Sequence, residues 1–314
     1  MKKGSLALGV DLGTTRIRVA QRIRRNSSVE LQRIVSRGIS AGAVTSSGIR
    51  EPEYVAAIVE DAVRELGGRE RRCVGAVGFP DAALRIAAFP RMTPWERPRT
   101  AYYEVLGHLD YPIQEAVVRT RPVPGDPLCC AIGVVRERVL RERVSCLRKA
   151  GLKVVAIDDV GCALRRALPG YDAVLDVGYR CSTLYLRGSC EVFQAETGGA
   201  HITSAIEKDL SIDESTAEKR KRILGTAGAG EAMRKELAAR ISSLIDSARF
   251  ICRVERIAAV GNGSRLSGLV HDIGVSCGAL VELAVSHVLS GASYPADVMQ
   301  AAAPDWTLAA ALSG

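Results

Sequence analysis

Hydrophobic and polar positions follow one plan twice along the chain. Residues 6–12 form an apolar run, and residues 16–24 alternate, with Ile17, Val19 and Ile23 on one face and arginines between them. Residues 29–35 alternate again, so three adjacent strands open the chain, the first two joined by the tight turn Asp11-Leu12-Gly13-Thr14-Thr15. From Pro52, a favourable first helical residue, Val55, Ile58, Val59, Ala62, Val63 and Leu66 recur at helical spacing until Gly67-Gly68 stops them. Residues 73–79 read as a buried strand ending at Pro80. Six prolines between Pro90 and Pro124 then break the periodicity, and residues 90–127 read as a small inserted subdomain. A strand (129–135), a helix with Val139, Leu140, Val144 and Leu147 on its buried stripe, and a strand (154–157) complete a βαβ unit.

The second succession restates the first. An apolar run at 173–177 leads into a turn at 178–181, a strand at 182–186 and a third at 190–194. Helices are expected over 201–210, from an Asp213 cap through Leu224, and over 231–253. A buried strand at 257–260 then enters the turn Gly261-Asn262-Gly263-Ser264.

Composition excludes some functions. Of 314 residues, 47% are hydrophobic and 25% charged, enough to bury a large core. The net charge of +8 comes mostly from 35 arginines spread from Arg16 to Arg265, and the densest runs read as solvated faces of a strand pair and a helix. With 4% aromatic residues, a base-stacking surface is not expected, and no nucleic-acid partner is assigned. Nine cysteines show neither a Cys-x-x-Cys nor a Cys/His zinc spacing and read as small buried hydrophobes in a reducing compartment. The four histidines form no cluster. The run after Leu6 is cut at Asp11, too short for a signal-peptide core, and residues 274–292 contain Glu282 and His287. A cytoplasmic protein is expected.

The two Asp-x-Gly turns carry the chemistry. A glycine turn between strands lets backbone amides converge on an anion, and Thr14 and Thr15 add hydroxyl donors for phosphate oxygens. Asp11 and Asp176, each at a strand end, suit a hydrated Mg²⁺ held through water, and Arg18 is a forked donor within reach of phosphate. At 261–264 the glycines allow a ribose or base to approach the backbone ahead of a helix.

In order and spacing these motifs resemble the actin-like ATPase superfamily, and within it the PilM family of type IV pilus assembly proteins, relatives of FtsA. Residues 9–18 are similar to the family's first phosphate loop and residues 135–155 to the segment leaving its inserted subdomain. Gly198-Gly199 through Arg222, with Ala217-Glu218-Lys219-Arg220-Lys221, resembles the Gly-Gly turn and nucleotide helix, and residues 261–269 the adenosine motif. The resemblance implies an α/β chain with the actin-like ATPase fold, two ribonuclease-H-like domains around a nucleotide cleft. The first spans 1–170 with an insertion at about 81–150, the second 171–300, and a C-terminal helix at 301–314 returns to the first. It implies ATP and Mg²⁺, with Asp11 and Asp176 organising the metal and Gly13, Thr14, Thr15, Arg18, Gly178, Ser182, Gly198 and Gly199 around the phosphates. Glu218, Lys221, Gly261, Asn262, Gly263 and Ser264 would hold adenosine, and Asp158 or Asp159 would orient water. Tyr179 and Arg180 follow Gly178 where small residues are usual, and Asn262 replaces the second glycine of the adenosine motif. The implied function is a scaffold at the inner face of the inner membrane, reaching it only through a PilN-like protein tail and capable of self-association. The alternatives are a small-molecule kinase of the same superfold and a scaffold that no longer binds ATP.

Overall fold

The computed structural model describes residues 4–25, 28–45, 48–93, 95–123, 125–284 and 304–313. The chain divides into two compact units. One comprises Ser5–Gln21, Val35–Cys162 and Leu312–Gly314, and the other Met1–Gly4, Arg22–Ile34 and Ala163–Ala311.

The opening strands are β1 (Gly4–Ser5), β2 (Leu8–Leu12), β3 (Arg16–Arg25) and β4 (Ser28–Gly38), and a small ladder of β5 (Val44–Thr45) and β6 (Gly48–Ile49) follows. Helix α1 (Pro52–Glu65) buries Val55, Ala56, Val59, Ala62 and Val63, the stripe its spacing predicts. Strand β7 (Arg72–Val77) then pairs parallel with β2.

The proline-rich stretch is better ordered than its weak periodicity suggests. Strands β8 (Ala82–Ala88), β9 (Ala116–Val123) and β10 (Asp126–Arg136) form a sheet in the order β8-β10-β9, with helix α2 (Glu96–Leu106) beside it. Phe89, Ala101, Val105, Ile113, Cys130, Ile132 and Val134 form its own core. The prolines are compatible because Pro98 lies in the first turn of α2, where an amide partner is not required, and Pro122 lies on the edge strand β9. Val77, Ala82 and Val139 join this subdomain to the rest of its unit.

Helix α3 (Glu137–Lys149) and β11 (Lys153–Asp159) follow, β11 pairing parallel with β7, and α4 (Val160–Ala167) comes next. The buried stripe of α3 is Val139, Cys146 and Leu147, whereas Leu140 and Val144 are only half-buried. Arg143 lies on that stripe, between Val139 and Leu147.

The second unit repeats the order. Strands β12 (Ala173–Val177), β13 (Ser182–Leu186) and β14 (Val192–Ala195) are an antiparallel meander. Helices α5 (Gly199–Leu210), α6 (Glu214–Leu224) and α7 (Glu231–Arg249) lead to β15 (Arg256–Val260), α8 (Leu269–Cys277) and β16 (Leu280–Leu283). The sheet runs β14-β13-β12-β15-β16, the counterpart of β4-β3-β2-β7-β11 in the first half. Asp213 caps α6, its Oδ1 accepting from the Thr216 amide at 3.1 Å. Helix α7 buries Leu237, Ala238, Ile241, Ile245 and Ala248 and ends four residues before the expected 253. The Phe250 amide bonds the Ser247 carbonyl three residues back, tightening the last turn, and Phe250 is left 93% exposed. The short α9 (Thr307–Leu312) closes the described chain, and residues 285–303 lie outside it.

Candidate functional site

The β2–β3 register sets Asp11 opposite Arg18, so their side chains share one face. Arg18 Nη1 stands 3.2 Å from Asp11 Oδ2, with the two side chains only 8% and 15% exposed. The intervening turn closes by the Gly13 amide donating to the Arg16 carbonyl at 3.1 Å, and the Thr15 carbonyl accepts from the Ile39 amide. From α3, Arg143 Nη1 donates to the Leu12 carbonyl at 2.9 Å. Burial pulls the Arg143 guanidinium below its ordinary range, and the Asp11 carboxylate is the largest of the charges opposing that shift.

The second hairpin closes the same way, the Gly178 amide donating to the Cys181 carbonyl at 2.9 Å. Thr183 stands opposite Asp176, where the first hairpin has arginine. Two further turns lock onto this one. The Gly199 and Ala200 amides at the start of α5 donate to the Gly178 and Tyr179 carbonyls at 3.0 and 2.7 Å. A Cβ on Gly198 would lie 2.6 Å from the Gly178 carbonyl oxygen, and one on Gly263 would lie 2.7 Å from Val177 Cγ1. Gly261, at φ +82°, rests against the Asp176 carboxylate. Ser264 is buried, its hydroxyl donating to the Gly261 carbonyl at 2.7 Å, in a 3₁₀ turn spanning Asn262–Arg265. Among the described residues the amides of Thr14, Thr15, Tyr179 and Arg180 at the two turn tips take no internal partner.

Other expected residues are occupied internally. Lys221 Nζ donates to the Gly199 carbonyl (2.8 Å) and Thr203 Oγ1 (2.7 Å) and pairs with Glu218 Oε2 at 2.6 Å. Burial alone would raise the Glu218 carboxyl, but hydrogen bonds from Lys221 and Thr203, with the charges of Lys221 and Arg222, hold it below its usual value. The Tyr179 ring lies 5.7 Å from Lys221 Nζ, and its hydroxyl donates to Glu214 Oε1 at 2.8 Å, so the bulky ring after Gly178 is tied down to α6. Burial, then that hydrogen bond, pushes its phenol up to about 12. Ser182 is fully buried and donates to the Thr197 carbonyl at 2.8 Å. Asp159 Oδ1 accepts from the Cys162 amide at 2.7 Å at the start of α4, and Asp158 Oδ1 accepts from the Asp159 amide at 2.9 Å.

No family model matches the chain, and no curated protein matches it. Among solved structures, a PilM–PilN type IV pilus biogenesis complex matches with a TM-score of 0.84 over 98% of this chain and 97% of that one, at 22% identity. The chain has the actin-like fold of PilM. The ethanolamine utilization protein EutJ from Carboxydothermus hydrogenoformans matches with a TM-score of 0.64 over 100% and 91% of the two chains, at 16% identity. The cytoplasmic domain of EpsL, an inner membrane component of the type II secretion system of Vibrio cholerae, matches at 0.51 over 98% and 94%, at 10% identity.

Within this PilM-like fold, the expected residues fall into two local groups. Asp11, Gly13, Thr14, Thr15 and Arg18 surround the first turn. Asp176, Gly178, Gly198, Gly199, Gly261 and Gly263 interlock at the second, with Glu218 and Lys221 behind α5. The residues fit a polyphosphate, since both turns leave tip amides without an internal partner and exclude side chains at the glycines. They do not fit the hydrated metal expected at Asp11, whose carboxylate is already matched by Arg18. Sequence reading missed Arg143 and Thr203. An arginine spaced four residues from Val139 and three from Cys146, in the middle of a buried stripe, was the available signal for Arg143. Nothing local marks Thr203.

Proposed function

We propose that this chain is an ATP-binding scaffold of a pilus-type assembly that holds the cytoplasmic tail of a PilN-like inner-membrane protein. The observation that carries the nucleotide reading is the pair of equivalent glycine hairpins, each with partnerless tip amides, one of them locked against the 261–264 turn. In this reading the amides of Thr14 and Thr15 and those of Tyr179 and Arg180 hold phosphate oxygens, and Arg18 adds a charged donor. The 261–264 turn presents its backbone to adenosine, while Glu218 and Lys221 brace α5 from behind. Asp159 spends an oxygen on a helix cap, so the role assigned is binding rather than turnover.

Support for the partner comes from the PilM–PilN complex matched over nearly the whole chain. No helix among the described residues is long and apolar enough to cross a membrane. The inserted subdomain offers a face for that tail, with Trp95 84%, Tyr103 66% and Leu106 49% exposed. Titration calorimetry with ATP and ADP tests the nucleotide reading. Dissociation constants of about 10 μM or tighter are expected, and no heat with either nucleotide would leave a scaffold acting through protein contacts alone.

A further inference from the structure

We propose that Arg18 supplies, at the first phosphate turn, the positive charge expected from a divalent cation, so that the chain binds ATP as the free polyphosphate without Mg²⁺. The inference rests on the nucleotide reading above and concerns what the same turn requires of its ligand.

The β2–β3 register fixes the arginine opposite Asp11, and the ion pair at 3.2 Å is largely withdrawn from water. The same guanidinium lies against the turn itself, because a Cβ on Gly13 would be 3.6 Å from Arg18 Nη1. One cation therefore touches both the carboxylate that would hold metal waters and the loop that would hold phosphate. A second guanidinium lies at the same strand end. Arg143 reaches the Leu12 carbonyl next to Asp11, and its Nε is buried without a hydrogen-bond partner. Asp81 and Glu142 also act on it, and Asp81 is shared with Arg136, whose Nη1 is 3.6 Å away. Two guanidinium groups thus gather at the end of β2, Arg18 paired with the Asp11 carboxylate and Arg143 bonded to the neighbouring Leu12 carbonyl.

A hydrated Mg²⁺ needs an unshared carboxylate and space for a near-octahedral water shell. At Asp11 it would meet two fixed like charges instead. A polyphosphate meets a forked donor already oriented by the carboxylate behind it. The second half of the molecule provides an internal control. Its hairpin closes with the same turn, yet has Thr183 where the first has Arg18, so the arginine is not required to build the hairpin. Among the described residues, no group of three or more histidine, cysteine or acidic side chains is placed to hold a metal.

Calorimetry of the full chain with ATP, once in excess Mg²⁺ and once in excess EDTA, decides between the cations. The expected result is a dissociation constant in EDTA within about threefold of that in Mg²⁺. A loss of more than about tenfold in EDTA overturns the inference and leaves the nucleotide reading standing, whereas no binding in either arm overturns both. Arg18→Gln is expected to turn the site metal-dependent, weakening ATP at least about tenfold in EDTA and recovering in Mg²⁺ once Asp11 is released. An equal loss in both arms would make Arg18 an ordinary phosphate contact and overturn the substitution of arginine for metal.

Discussion

Single side chains in this molecule work mostly on one another. Lys221 was expected to face adenosine, but it bonds two oxygens of α5, at Gly199 and Thr203, and pairs with Glu218 of its own helix. Lys221→Met should therefore destabilise the ligand-free protein by about 1–3 kcal/mol, because Glu218 Oε2 would lose its cation and only the half-exposed Arg222, on Oε1, would remain. Urea melts without nucleotide would show the loss. An unchanged midpoint with weakened ATP binding would instead make Lys221 a ligand contact. Glu70 gives a pH test. Hydrogen bonds from the Arg72 side chain hold its carboxyl down to about 2 from an ordinary 4.5, against the opposing effect of burial. A folded-state value below the unfolded one stabilises the protein above the unfolded value, and that stabilisation is lost as pH falls towards 2. Glu70→Gln should cost on the order of 1 kcal/mol at neutral pH, discounted because Arg72 is half-exposed. The gap from the parent should close between pH 4.5 and 2 in denaturant titrations; a gap independent of pH would contradict the ion-pair account.

At the scale of elements, legibility followed periodicity. Helix α1 was readable because its apolar residues recur at helical spacing between Pro52 and Gly67. The strands on either side of both turns were readable because each has a buried face. The end of α7 was not, since Phe250 and Ile251 look like core residues in sequence yet lie exposed past the last turn. Nor was the sheet of the inserted subdomain as a whole: the strand read at 129–135 is its β10, antiparallel to β8 and β9, and not half of a βαβ unit with β11, which pairs with β7 instead. Strand β9 is an edge strand with arginines 119 and 121 facing out, and Pro122 hides the alternation that would have announced it. Helix α2 makes a separate prediction. Tyr103 and Leu106 lie a turn apart on its exposed side, and Trp95 is exposed at its start. Trp95→Ala with Tyr103→Ala should weaken a labelled PilN-like tail peptide by about tenfold or more in fluorescence anisotropy, while ATP affinity stays as in the parent. A peptide affinity left intact would move the docking face elsewhere.

The whole molecule is one strand order used twice, with a separate core in each unit: Leu8 to Leu152 in one and Ala173 to Cys277 in the other. That duplication was visible in the sequence because the Asp-x-Gly turns head two similar strand sets. The charge at the first turn was visible only in part. Arg18 could be read from spacing along β3, whereas Arg143 arrives from a helix about 130 residues away in the chain and carries no local mark of its destination. The interlocked glycines have a consequence for how this chain tolerates change. A saturation-mutagenesis map plotted along the chain would show intolerant points at 198, 261 and 263 as isolated events. Folded, they are one patch in which each residue is confined by the backbone or side chains of Asp176 through Tyr179, so drift at any of them requires simultaneous change in that hairpin.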